Sequence, residues 1–405
     1  MRLARPPAVR PTRPARPIAI VVLACTAALA LAACGPGAGT SAPAPAPATS
    51  AATLAGSTPS QQPSRHLARP LATSSRSPHS APRRSSLPPV RTAPGNQAFN
   101  PAALHADHVV GHGTPGSCTS QAVVQAVGEG GVIAFSCGPR PVTIVMTATA
   151  KVRNTSAKVV LDGGGLVTLS GGGVRRILYM DTCDPAQTWT TSHCQDQATP
   201  TLTVENITFA DGNSTGQVYD GGGGGAIFDR GGQLKVIDAR FTGNRCDSTG
   251  PDLGGAAIRA LSQYQNRAVE VTGSTFTGGV CSNGGALSSI GVSWVILDST
   301  FTGNRAIGDG ANPAQAGTPG GGSGGAIYTD GDDYTVTVDG CVITGNSARE
   351  GGGALFFVSD NKTGTLTIEH SKLRDNPNAG FQTAGYPGIF FLGQGHPEVL
   401  SSSLS

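Results

Sequence analysis

The sequence predicts an all-β chain wound into a right-handed parallel β-helix, and three observations predict it. A unit of roughly 30 residues recurs six times between about Thr201 and Asn376. Each copy holds apolar residues two positions apart, the β period, so that both face the same side. Differences in length between copies fall outside those positions, where loops accept extra residues and strands would not. A short β-type unit of this kind cannot bury its own apolar face, so successive units must stack.

The copies align on the anchors Phe209, Phe241, Phe276, Phe301, Ile343 and Leu373. Seven residues before each anchor stand Leu202, Leu234, Val269, Trp294, Val336 and Leu366, and five before stand Val204, Val236, Val271, Ile296, Val338 and Ile368. Two before stand the mostly small Ile207, Ala239, Ser274, Ser299, Cys341 and Ser371, which share the inward face. Thr203, Lys235, Glu270, Val295, Thr337 and Thr367 lie between the first two columns and point outward. A Gly-Gly-Ala step sits between anchors, starting at Gly224, Gly254, Gly284, Gly324 and Gly352, and opens a third strand. The recurring Asn244, Asn304 and Asn346 are expected to bridge backbone groups at a turn and to stack on one another. The longest insertion, Arg305 to Ser323, is rich in Gly, Ala and Pro.

From the start of the chain, residues 1–33 read as an export signal. Met1 to Pro17 carry five arginines and no acid, and an apolar run from Ile18 to Ala33 follows, too short for a confident membrane span. Leu31-Ala32-Ala33-Cys34 resembles the bacterial lipobox, and that resemblance implies lipidation of Cys34 and an extracytoplasmic protein held at the membrane. Cys25 is a weaker second match. Residues 34–106 read as a tether rich in Pro, Ala, Ser and Arg, with a reach of about 200 Å if fully in polyproline II.

Residues 107–405 form the β-helix domain in this reading. Eleven of the 28 basic residues and none of the 25 acidic ones precede Asp107, so an acidic domain of net charge −8 hangs on a basic leash. The leash suits anionic wall polymer or lipid headgroups, or serves simply as a solvated linker; the acidic domain argues against nucleic acid. Thr119 to Val127 predicts a short helix with Ala122, Val123, Ala126 and Val127 on one face, placed to cap the first coil. KVVLDGGG and LVTLSGGG (residues 158–173) read as early coils, and PGIFFLG (387–393) as the last apolar segment before a polar tail.

Seven cysteines remain after Cys25 and Cys34. Cys246 and Cys281 each stand five residues after an anchor, which puts them on adjacent strands at disulfide distance. Cys118 with Cys137, and Cys183 with Cys194, are paired by proximity in the chain alone. Cys341 falls in the small inward column and reads as a buried, inert thiol.

The Gly-Gly-Ala-Ile and Phe-x-x-Asn steps resemble the repeats of polymorphic outer-membrane proteins, within the pectin-lyase-like β-helix superfamily. The resemblance covers most of residues 118–393 and implies the fold; it leaves activity open, because that superfamily holds lyases, hydrolases and adhesins. The Arg-x-Pro-x-x-Arg run of pectate lyases is missing. Gly111-His112-Gly113 and Asp332-Asp333 occur in the reverse of their order in polygalacturonases.

Loop carboxylates supply the candidate chemistry. Asp220, Asp247, Asp252 and Asp309, with Tyr219, Arg245, Arg305 and Arg349 nearby, fall on one loop edge. Asp330, Asp332 and Asp333 form a second knot, assigned to the opposite turn. The first set would suit Ca2+ or a glycosidase acid/base pair, and the second is an alternative metal loop that lacks EF-hand spacing, while turn formation by Asp accounts for most of them without a ligand. Trp294 is assigned to the core and Trp189 to an exposed loop, with Tyr264 and Tyr328 as further sugar platforms. The leading expectation is a binding surface for polysaccharide or another cell-surface partner. A polysaccharide lyase or glycosidase competes with it, and a purely architectural envelope protein is the third reading.

Overall fold

Columns of like side chains become ladders when coils stack in register, and stacked coils make up the computed structural model, which describes residues 105–217 and 221–405. Cys34, Cys25, the export signal and nearly all of the tether lie outside the described residues. The strands pair in parallel from coil to coil in sheets of 17, eight and three strands. The 17-stranded sheet carries the Val-x-Val and anchor strands, and the eight-stranded sheet carries the strands that follow the Gly-Gly-Ala steps.

The inward columns pair as the repeat predicts. Leu202 lies against Leu234 and Val204 against Val236. Phe209, Phe241, Phe276, Phe301, Ile343 and Leu373 form one continuous register. The four phenylalanines stack with centroids 5.2, 4.7 and 4.7 Å apart. All the anchors are buried, as is Trp294, whose indole N–H donates to Ser289 Oγ at 2.9 Å.

The small column has a chemical reason beyond its size. It marks the bend between two strands, where one backbone N–H per coil leaves the sheet ladder. Ser274 Oγ accepts from Ala239 N, Ser299 Oγ from Ser274 N, Cys341 Sγ from Ser299 N, and Ser371 Oγ from Cys341 N. A short side chain with an acceptor satisfies a buried donor that would otherwise cost about 1–3 kcal/mol. The asparagines work the same way at the next turn. Asn244, Asn304, Asn346 and Asn376 each accept a backbone N–H from the preceding coil and donate to that coil's anchor carbonyl.

Three residues before every anchor the backbone is left-handed: Asn206, Asp238, Gly273, Asp298, Gly340 and His370 have φ between +45° and +65°. Gly, Asn and Asp tolerate that conformation, and His370 departs from the rule.

Four readings change. The second Gly-Gly-Ala step is displaced by one, because Ile258 pairs with Ile227 and Gly255, at φ +72°, takes the turn position of Gly224. Ala256 then occupies a column that is glycine in the other copies, where a Cβ on Gly225 would lie 2.2 Å from the Arg245 carbonyl oxygen. Instead Ala256 packs on Cys246 and Cys281. KVVLDGGG and LVTLSGGG belong to one coil: Lys158–Ser170 is a single strand that bends through its glycines, pairing first with Thr201–Glu205 and then with Ile207–Ala210. The polar tail is a further partial coil, with Val399 on Ile368 and Leu404 on Leu373. Asp330, the fourth, leaves its expected knot for the covered face of the eight-stranded sheet.

The predicted helix is present at Ser120–Glu129, with Thr119 as N-cap and Val123, Ala126 and Val127 in the core. Disulfides join Cys118 to Cys137, Cys183 to Cys194 and Cys246 to Cys281, with Cα atoms 5.6, 4.9 and 4.8 Å apart. Cys341 is free and buried, and burial pushes its thiol up to about 12.

Candidate functional site

The outer face of a solenoid sheet normally meets water, yet much of the outer face of the eight-stranded sheet does not. Phe228, Arg259, Ser288, Tyr328 and Phe356 form its outward column and are all buried. Segments inserted between coils fold over them and leave a cleft of about 880 Å³. Asp252, Asp330, Asp360 and Asn312 line it, with Phe356, Phe381 and Phe390 forming an aromatic wall.

Asp330 ends the strand Ile327–Asp330, two residues past Tyr328, so both side chains leave the outer face. Asn312 reaches the same spot from the long insertion, whose arms pair antiparallel at Asp309–Gly320 and Ala311–Gly321. Glu350 Oε1 accepts from Gly310 N at 3.0 Å and ties the insertion down. Asp252 comes from a third segment, held by Arg259, whose guanidinium donates to the Asp252 carbonyl and to Ser288 Oγ, both at 2.5 Å.

The three segments meet at one nitrogen. Asn312 Nδ2 lies 3.0 Å from Asp252 Oδ1, 2.7 Å from Tyr328 Oη and 2.6 Å from Asp330 Oδ2. Tyr328 Oη donates to the same Asp330 oxygen at 2.9 Å, and Gly331 N donates to Oδ1 at 2.9 Å. Burial raises the Asp330 carboxyl above the usual carboxylate range, opposed by the Tyr328 hydrogen bond and reinforced by Asp360. Burial and the Asp330 charge push Tyr328 well above its ordinary range.

The sequence places Asp330 and Asp252 on opposite turns, whereas the structure brings them together on one amide. The rest of the two sets scatter. Asp309 pairs with Arg349 at 3.1 Å, and Asp247 Oδ1 accepts from Gly216 N. Asp332 and Asp333 are exposed, and hydrogen bonds from Thr363 and Asn361 hold the Asp333 carboxyl below its usual range. Tyr219 and Asp220 lie outside the described residues. Among the described residues neither set brings three ligand atoms together; Asp339, Glu369 and His370, on the other sheet, do so within 4.8 Å.

At the cleft's other end Arg230 lies 3.4 Å from Asp181, whose carboxyl is raised by burial and lowered by that arginine. Behind the sheet Asp229 is fully buried; it accepts from Gln263 through one oxygen, and its Oδ1 has no hydrogen-bond partner. Burial pushes its carboxyl well above the usual range.

Asn312, Asp360 and the aromatic wall escape sequence reasoning to different degrees. Phe356-Phe357 and Phe390-Phe391 each place adjacent aromatics in one strand, where the period of two sends one of them outward. Asn312 and Asp360 carry no such signal.

The fold and cleft define a parallel β-helix with a covered outer face. Residues 298–330, from the turn before an anchor through the long insertion to Asp330, match the Chlamydia polymorphic membrane protein repeat. The repeat and the parallel sheets fit a surface-exposed protein of the outer-membrane type. No curated protein and no solved structure matches the chain.

Proposed function

We propose that this chain is an exported, lipid-anchored β-helix of the pectin-lyase-like type that binds a linear polysaccharide of the cell surface along the cleft. The observation that carries the reading is the cleft itself, which combines hydrogen-bonding carboxylates with an aromatic wall suited to the apolar faces of sugar rings. The lipobox-like Leu31-Ala32-Ala33-Cys34 supports the anchor, and the helix Ser120–Glu129 serves as the cap of the first coil in this reading. Retention of the full chain on insoluble polysaccharides tests the binding. Loss of retention in Phe390→Ala is the expected result, and unchanged retention would overturn the assignment to this cleft. Cys34→Ala should move the protein from the membrane to the soluble fraction.

A second reading, glycoside hydrolysis, is favoured by the Asp330–Asp252 pair. Their oxygens are separated by at most the sum of their two distances to Asn312 Nδ2, which falls short of the about 6.5–9.5 Å of inverting enzymes and leaves the retaining geometry. Asp330, raised by burial, would give its proton to the glycosidic oxygen while Asp252 attacks the anomeric carbon; water then releases the sugar. Release of reducing ends that stops in Asp330→Asn would establish it, and retention without cleavage would leave the binding reading alone.

A further inference from the structure

We infer that the cleft receives a primary ammonium group, the free amine of a de-N-acetylated amino-sugar polymer, at the position held by the Asn312 amide nitrogen. The inference rests on the carbohydrate-binding reading and names the class of sugar.

Three oxygens, two from the strand Ile327–Asp330 and one from the Asp252 loop, converge on that nitrogen, at 3.0, 2.7 and 2.6 Å. An amide NH2 has two hydrogens for them, whereas an ammonium has three donors and a full charge. An ammonium in that position therefore has a hydrogen for every acceptor and turns the amide's bonds to Asp252 and Asp330 into ion pairs.

The surrounding charge points the same way. Asp252, Asp330 and Asp360 face this part of the cleft, while its two arginines are already engaged: Arg259 with Ser288 and the Asp252 carbonyl, Arg230 with Asp181. A uronate polymer would set its carboxylates against these three; a cationic one is drawn in. A cation also relieves the desolvation that weighs on the Asp330 carboxylate. Asn312 belongs to an inserted ribbon and not to the stacked coils, so its side chain can rotate away while Glu350 keeps the ribbon in place. The aromatic wall beyond it favours a pyranose ring as the body that carries the amine.

Calorimetric titration of the full chain with glucosamine hexamer, N-acetylglucosamine hexamer, oligogalacturonate and an oligolysine peptide tests the inference, at a pH where the amine is protonated. The glucosamine hexamer should bind at least about tenfold more tightly than its acetylated form, the scale of one charged hydrogen bond. Asp330→Asn and Asp252→Asn should remove that preference, and Asn312→Ala, which vacates the position, should strengthen glucosamine binding. Glu398→Gln, exposed and outside the cleft, should leave it unchanged. Equal binding of both hexamers overturns the ammonium site and leaves the carbohydrate reading intact. Binding of neither hexamer nor of oligogalacturonate overturns the carbohydrate reading itself. Tighter binding of oligolysine than of glucosamine overturns the choice of sugar. Because Asn312→Ala should strengthen binding and the Asp variants weaken it, impaired folding could not imitate the pattern.

Discussion

Two outward faces of the same solenoid differ in what covers them. On the 17-stranded sheet the outward residues Thr203, Lys235, Glu270, Val295, Thr337 and Thr367 are exposed or half-buried. Their main event is an exposed Lys235–Glu270 pair at 2.8 Å. On the eight-stranded sheet the equivalent residues include Phe228, Arg259, Tyr328 and Phe356, all buried. Both faces are built by the same repeat. Insertions between coils make the difference: they roof one face and leave the other to water, and the roofed face collects Asp252, Asp330 and Asp360 in a cleft. The repeat supplies a scaffold, and departures from the repeat supply chemistry.

The largest expected effect tests whether the roofed face is energetically a core. Phe356→Ala, which unstacks Tyr328 and Phe390, should cost about 3–5 kcal/mol in denaturant unfolding. Thr337→Ala on the other face should change stability by no more than about 0.5 kcal/mol. A cost below about 1 kcal/mol for Phe356→Ala would dissolve the distinction.

Next comes the buried acid behind the roofed sheet. The native state holds the Asp229 proton to a higher pH than the unfolded chain does. Its contribution is therefore full below the ordinary value of 3.8 and is lost as pH rises through the raised native value. Asp229→Asn should flatten that loss and stabilise the protein at neutral pH by about 1–3 kcal/mol. Parallel stability–pH curves for the two proteins would contradict it.

The bend shared by both strands of the open face comes third. Ser371→Ala strands the buried Cys341 N–H and should cost about 1–3 kcal/mol, whereas Cys341→Ser keeps an acceptor for Ser299 N and should stay within about 1 kcal/mol of the native protein. Equal costs would mean that the column is selected for size alone. The smallest effect belongs to His370, at φ +45°: replacement by Gly should raise stability by up to about 1 kcal/mol, seen as a small rise in Tm. A fall in Tm would mean that the His370 contact with Asp339 at 2.9 Å outweighs the backbone strain.

The ladder face was legible because repetition averages out accident. Six aligned copies isolate the columns, and the Cys246–Cys281 bridge follows from register alone. The same repetition misleads where one copy departs from the rest: Gly254 looks like the start of its step, yet the turn falls at Gly255. The final partial coil was also readable, since Val399 and Leu404 keep the five-residue spacing of Ile368 and Leu373, with Ser402 in the small column. It was obscured by the serines around it.

The sequence by itself determined the stacked parallel coils, their inward ladders, the helix at the first coil and the disulfide between equivalent positions. These depend on periodicity and on residues at fixed spacing, which a linear text preserves. Only the tertiary structure decided that Asp252, Asn312 and Asp330 meet. Asp330 ends a strand of the ladder, but Asp252 and Asn312 lie on insertions whose lengths obey no period, and loop paths depend on what the loops cover. A carboxylate at a turn reads alike whether it faces water or a cleft; its surroundings, set by the packing of distant insertions over one sheet, give it a partner.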